Sequence, residues 1–144
     1  MQKRNSDKLV RAIKSFKDAL DYTRSAEFQG LDSSVKSVLH AAVVQNFSLT
    51  FNVCQKMLRY KLADVVGDKV AKIDSEESLL RLAAEERLIS NLDNWLEYLE
   101  CEYLTQTSNS TVRTFEKAAS FLQDANEILS TCPNRINNER RRAA

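Results

Sequence analysis

The chain has 144 residues, with two Gly, one Pro, 43% hydrophobic and 28% charged residues, and a formal net charge of +1. That length supports one domain with a substantial core. So few turn-forming residues exclude parallel α/β folds and β-sandwiches, and the near-zero charge gives the whole molecule no strong pull toward nucleic acid or membrane.

Residues 1–6 read as a frayed start. A first helix is predicted from a Ser6 or Asp7 cap to about Phe28, with Leu9, Ile13, Phe16 and Leu20 as its stripe and Val10 beside it. Gln29 to Ser34 reads as a turn with Gly30 as its stop signal. A long helix then runs from Val35 to Val66 without Gly or Pro and stops at Gly67. Two apolar lines, Val35, Leu39, Ala42, Val53, Met57 and Val44, Phe47, Phe51, Leu58, Leu62, merge into an arc of roughly two-thirds of the circumference at about 100° per residue. A surface helix shows an apolar arc only somewhat wider than about 100°. This helix is therefore expected to be covered from several sides, by the other helices or by a second subunit. Its polar strip is narrow: Ser37, Gln45, Ser48, Asn52, Gln55, Lys56 and Arg59.

Residues 68–74 form a connector. Ser75, Glu76 and Glu77 open a short helix that carries Leu79, Leu80, Ala83 and Ala84 and breaks at Leu88 to Ser90. Ser90 with Asp93 resembles a capping box, and the helix that follows places Leu92, Trp95, Leu96, Leu99 and Tyr103 inward. Thr105 to Ser110 is a polar linker. The last helix is predicted from about Thr111 to Thr131, with Val112, Phe115, Ala119, Leu122 and Leu129 on one face, and Pro133 ends it. The expected architecture is all-α: an antiparallel up-and-down four-helix bundle with one extra short helix. It forms a single domain over residues 1–133, followed by a flexible basic tail over 134–144.

Charge is unevenly spread. Residues 1–17 carry six basic side chains against Asp7, residues 73–102 carry nine acids against Arg81 and Arg87, and the tail carries four Arg against Glu139. Solvated faces account for most of this; complementary patches for assembly or for an RNA backbone are the sharper reading. The three cysteines, Cys54, Cys101 and Cys132, form no CxxC pair, and the polar N-terminus is no secretory signal. A reducing, cytoplasmic setting is expected. The longest uncharged run, Ala41 to Gln55, is too short and too polar to cross a bilayer.

Chemistry is scarce. The single histidine, His40, is 14 positions from Cys54 on the same helix, about 21 Å away, so the two cannot form a nucleophile–base pair. One His and three scattered Cys do not make a zinc site, no Glu-x-x-His motif marks a di-iron bundle, and two Gly cannot build a phosphate loop. Glu97 and Glu100, with Asp93, read as a solvated acidic face. No catalytic residue, metal or cofactor is expected.

The order of several stretches carries a family resemblance. They are Val44-Gln45-Asn46-Phe47-Ser48-Leu49-Thr50-Phe51-Asn52 with Lys56, Leu79-Leu80-Arg81 through Leu88-Ile89, Asn94-Trp95-Leu96-Glu97-Tyr98, and the polar linker before the last helix. From Leu9 to about Leu129 the chain resembles the bacterial nucleotidyltransferase substrate-binding proteins, a branch of the HEPN domains. The resemblance implies a homodimeric four-helix bundle, the partner of a separate minimal nucleotidyltransferase in a two-gene or toxin–antitoxin system. Relatives with an intact Arg-Asn…His motif are metal-independent ribonuclease toxins. Here the Arg-Asn pair falls on Glu102 and Tyr103 and the His on Thr107, while Ser48 and Asn52 replace acids. Glu102 repels a phosphate where Arg binds it, and Thr107 takes up no proton, which argues against nuclease activity. The expected function is a non-catalytic binding module. Its ligand or partner strip comprises Gln45, Ser48, Asn52, Gln55, Lys56, Glu102, Tyr103 and Thr107. The alternatives are a ribonuclease toxin with a displaced active site, and an RNA- or protein-interaction module using its basic ends.

Overall fold

A computed structural model describes residues 2–104 and 110–131. The helices are α1 (Gln2–Thr23), α2 (Ala26–Gln29), α3 (Ser33–Val66), α4 (Glu76–Glu85), α5 (Leu92–Leu104) and α6 (Ser110–Ser130), with a 3-10 stretch at Gly67–Lys72 between α3 and α4. The predicted tail and Cys132 lie outside the described residues. The fold is an all-α bundle built around α3.

Helix ends follow local chemistry. α1 starts earlier than expected, at Gln2, and ends at Thr23 rather than Phe28. The hydroxyl of Ser25 accepts from the Phe28 backbone N–H at 3.2 Å, and this cap opens the separate turn α2. α3 stops at Gly67, whose φ of 63° and ψ of −133° suit a residue without a side chain. Ser75 caps α4 through the Ser78 N–H. α4 ends in a Schellman motif: Leu88 N–H donates to the Ala83 carbonyl at 2.8 Å and Arg87 N–H to that of Ala84 at 3.1 Å. Arg87 sits in the left-handed region at φ 61°. The predicted Ser90 cap of α5 is corrected. Asn91 Oδ1 accepts from Asn94 N–H, while Ser90 donates to Glu127 on α6.

Contacts give the helix directions. Thr50 donates to the Ala12 carbonyl and Phe16 meets Phe47, so α1 and α3 are antiparallel. Tyr98 and Asn94 meet Asp124 while Arg113 pairs with Glu100, so α5 and α6 are antiparallel. His40 faces Phe115, Phe47 faces Phe121, and Lys61 reaches Ile128, so α3 and α6 run parallel, as alternate helices of an up-and-down bundle do.

The core centres on Phe121. Its ring centroid lies 4.7 Å from Phe47, 5.1 Å from Tyr98, 5.8 Å from Phe16 and 6.0 Å from Trp95. The buried stripe of α1 is Leu9, Ile13, Phe16 and Leu20, as the sequence predicts. The fully buried face of α6 is offset from the predicted one, of which Phe115, Leu122 and Leu129 pack half-buried against the core. Thr114, Ala118, Phe121, Ala125 and Ile128 are buried, while Val112 is 70% exposed. On α5, Tyr98 is buried and Tyr103 is 60% exposed, the reverse of the expectation for Tyr103.

Candidate functional site

The predicted strip lies along α3 where it meets α4 and α5. Ser48 Oγ donates to Glu102 Oε1 at 2.8 Å, joining α3 to the C-terminal turn of α5. Burial is the largest influence on the Glu102 carboxyl and raises its pKa. The Ser48 hydrogen bond lowers it, and the Glu76 carboxylate raises it again. Gln45 is exposed one turn before Ser48, and Tyr103 points its large ring to solvent. Thr107 lies outside the described residues.

Continuing from Ser48 along the next three or so turns of α3 is a groove of about 410 Å³ lined by Leu49, Asn52, Val53, Gln55, Lys56 and Arg59, and by Glu76 from the first turn of α4. Asn52, Gln55 and Lys56 are strip residues; Arg59 was on the polar face but not in the predicted site, and Glu76 was missed. Nothing local in the sequence signals Glu76, since it reaches the groove from a different helix.

Gln55 corrects the expectation of an exposed polar residue. It is 6% exposed, and its Nε2 is buried without a hydrogen-bond partner among the described residues. An unmet buried donor of this kind costs about 1–3 kcal/mol. No ion pair within 4.0 Å joins Glu76 to Lys56 or Arg59 among the described residues. The groove therefore offers two cations, two side-chain amides and one carboxylate.

The acidic stretch of α5 is largely matched across the bundle: Glu97 pairs with Lys117 and Glu100 with Arg113 at 3.1 Å. The Lys117 partner, chiefly through its hydrogen bond, holds the Glu97 carboxyl below its ordinary range. His40 is packed between the rings of Phe28, 5.1 Å away, and Phe115, 5.0 Å away. Cys54 is fully buried, and burial pushes its thiol far up. Neither has a reactive partner in the geometry above. No group of three or more His, Cys, Asp or Glu side chains is arranged to hold a metal ion among the described residues, and no described helix is long and apolar enough to cross a membrane.

Fold and groove together define a helical bundle with a polar cleft beside the longest of its described helices. The chain matches, over residues 4–134, the family described as nucleotidyltransferase substrate binding protein like, and it belongs to that family. Its fold is similar to that of HI0074 from Haemophilus influenzae, a structure described as revealing the fold of a substrate-binding domain of a nucleotidyltransferase. The TM-score is 0.77 at 19% identity, covering 86% of this chain and 96% of that one. A comparison with curated proteins found no match.

Proposed function

We propose that this chain is the non-catalytic substrate-binding partner of a separate, minimal nucleotidyltransferase, acting in the cytoplasm as a homodimer. The family match over residues 4–134 carries this reading. The chemistry of the groove agrees with it. The groove holds amides and cations suited to gripping a ligand, and no imidazole or thiolate is placed beside it. The partner chain would supply nucleotidyl transfer, and this chain the acceptor. Exposed apolar side chains on α3, Val38 and Leu49, support a second copy as the other surface partner.

The test is to express the chain with and without the reading frame beside it and to measure mass by size exclusion with light scattering. A stable complex with a small nucleotidyltransferase supports the reading; a homodimer that ignores its neighbour refutes it. The ribonuclease and toxin–antitoxin alternative is checked in the same strains. Growth arrest and RNA cleavage on induction, lost on Glu102→Ala or Arg113→Ala, would replace the binding-module reading with the enzymatic one.

A further inference from the structure

The groove between α3 and α4 carries two cations on its α3 wall and one carboxylate on its α4 wall. Lys56 and Arg59 stand one turn apart on α3 and line the same wall. Neither has an ion-pair partner among the described residues, although five other cations of the helices do. Gln55, between them and the core, has its amide nitrogen buried and unmatched. Two cations without an ion-pair partner thus stand beside a buried amide donor with no acceptor among the described residues.

We propose that this groove binds the phosphate monoester end of a small molecule. Lys56 supplies a point charge and Arg59 a planar fork of donors, together matching a dianion better than a singly charged carboxylate. The Gln55 amide nitrogen, buried with no acceptor among the described residues, gains one when the side chain turns toward an oxygen of the same ligand. Glu76, on the opposite wall, accepts from a ligand hydroxyl or amine. The volume of about 410 Å³ falls in the range of small-molecule sites. A nucleic-acid strand fits less well, because its next phosphates meet the start of α4, where Asp74, Glu76 and Glu77 cluster. The proposal rests on the substrate-binding reading above and specifies which end of the substrate this chain holds.

The experiment is calorimetric and NMR titration of the full chain with ribose 5-phosphate, inorganic phosphate, acetate and a 12-nucleotide RNA. Ribose 5-phosphate is expected to bind one per chain, about tenfold or more tighter than acetate, with amide shifts centred on residues 52–59 and 76. Lys56→Gln with Arg59→Gln is expected to weaken it at least about tenfold. Gln55→Leu is expected to weaken it several-fold while leaving the melting temperature equal or higher, because an unmatched buried donor is gone. Glu76→Gln is expected to tighten inorganic phosphate. Three results each overturn the proposal: no saturable binding of either phosphate probe, equal binding of acetate, or tighter binding of the RNA at the same residues. The nucleotidyltransferase complex is measured separately in phosphate-free buffer. A complex without phosphate binding sinks the groove proposal alone, whereas phosphate binding without a complex sinks the partner reading alone.

Discussion

Lys61 Nζ donates to the carbonyl oxygen of Thr131 at 2.6 Å, although the two are 70 positions apart and the lysine is only 4% exposed. The same ammonium also donates to the Ile128 carbonyl. It thus supplies donors to one carbonyl of the last turn of α6 and to one just beyond its end, where no further helical N–H follows to pair with them. Charge-assisted bonds of this kind contribute about 1.5–3 kcal/mol, so Lys61→Met is expected to lower unfolding stability by about that amount. Urea unfolding checks it: the midpoint should fall with the slope unchanged. An unmoved midpoint would mean the latch carries no net energy.

Phe121 meets Phe16, Phe47, Trp95 and Tyr98 and is fully buried. Truncating it leaves a cavity bordered by α1, α3 and α5 at once. Phe121→Ala should cost about 3–5 kcal/mol, and Phe121→Leu clearly less. Both are read from denaturant curves, and equal costs would show that the pocket collapses around either side chain.

Glu102 gives a pH dependence of defined sign. Burial, the largest cause, raises its carboxyl above the ordinary value of 4.5 in the folded chain. Between that ordinary value and the raised folded one, the folded state holds the proton that the unfolded state has lost. The contribution of Glu102 to stability is therefore complete below the unfolded value and is lost as pH rises through the folded one. Glu102→Gln should keep the contact with Ser48 and abolish this loss. Melting temperatures from about pH 4 to 7 should fall more steeply for the natural chain than for the variant. Parallel profiles would show that solvent screens the carboxyl fully.

Arg87 holds the left-handed position of the Schellman motif at φ 61°, where a β-carbon is disfavoured. Arg87 is exposed, so no packing is lost on shortening it. Arg87→Gly is expected to raise stability by about 0.5–1 kcal/mol, read as a higher urea midpoint. A lower midpoint would show that unfolded-chain entropy outweighs the relief of strain.

The sequence was most legible where large apolar side chains set the period. Leu9, Ile13, Phe16 and Leu20 on α1, and Phe47, Phe51, Leu58 and Leu62 on α3, are buried as their spacing predicts. It was misleading on α6, where small residues share the buried face with Phe121 and Ile128. Thr114, Ala118 and Ala125 are fully buried, whereas Val112, Phe115 and Leu122 look more apolar and remain partly or mostly exposed. On α5, Tyr98 is buried because Asp124 accepts its hydroxyl at 2.5 Å, a partner on another helix that periodicity cannot show. The groove was half legible for the same reason. Its α3 wall follows from the polar strip, but Glu76 and the burial of Gln55 depend on how α4 crosses α3.

The parallel course of α3 and α6 has an electrostatic consequence. Their peptide dipoles point the same way and add, so the end of the bundle where both helices finish is its negative pole. α1 and α5 run the other way and offset part of that field. The ammonium of Lys61 is buried at that pole, against the terminal carbonyls of α6. It is a fixed internal counter-ion, whereas Lys56 and Arg59 line the groove with no ion-pair partner among the described residues.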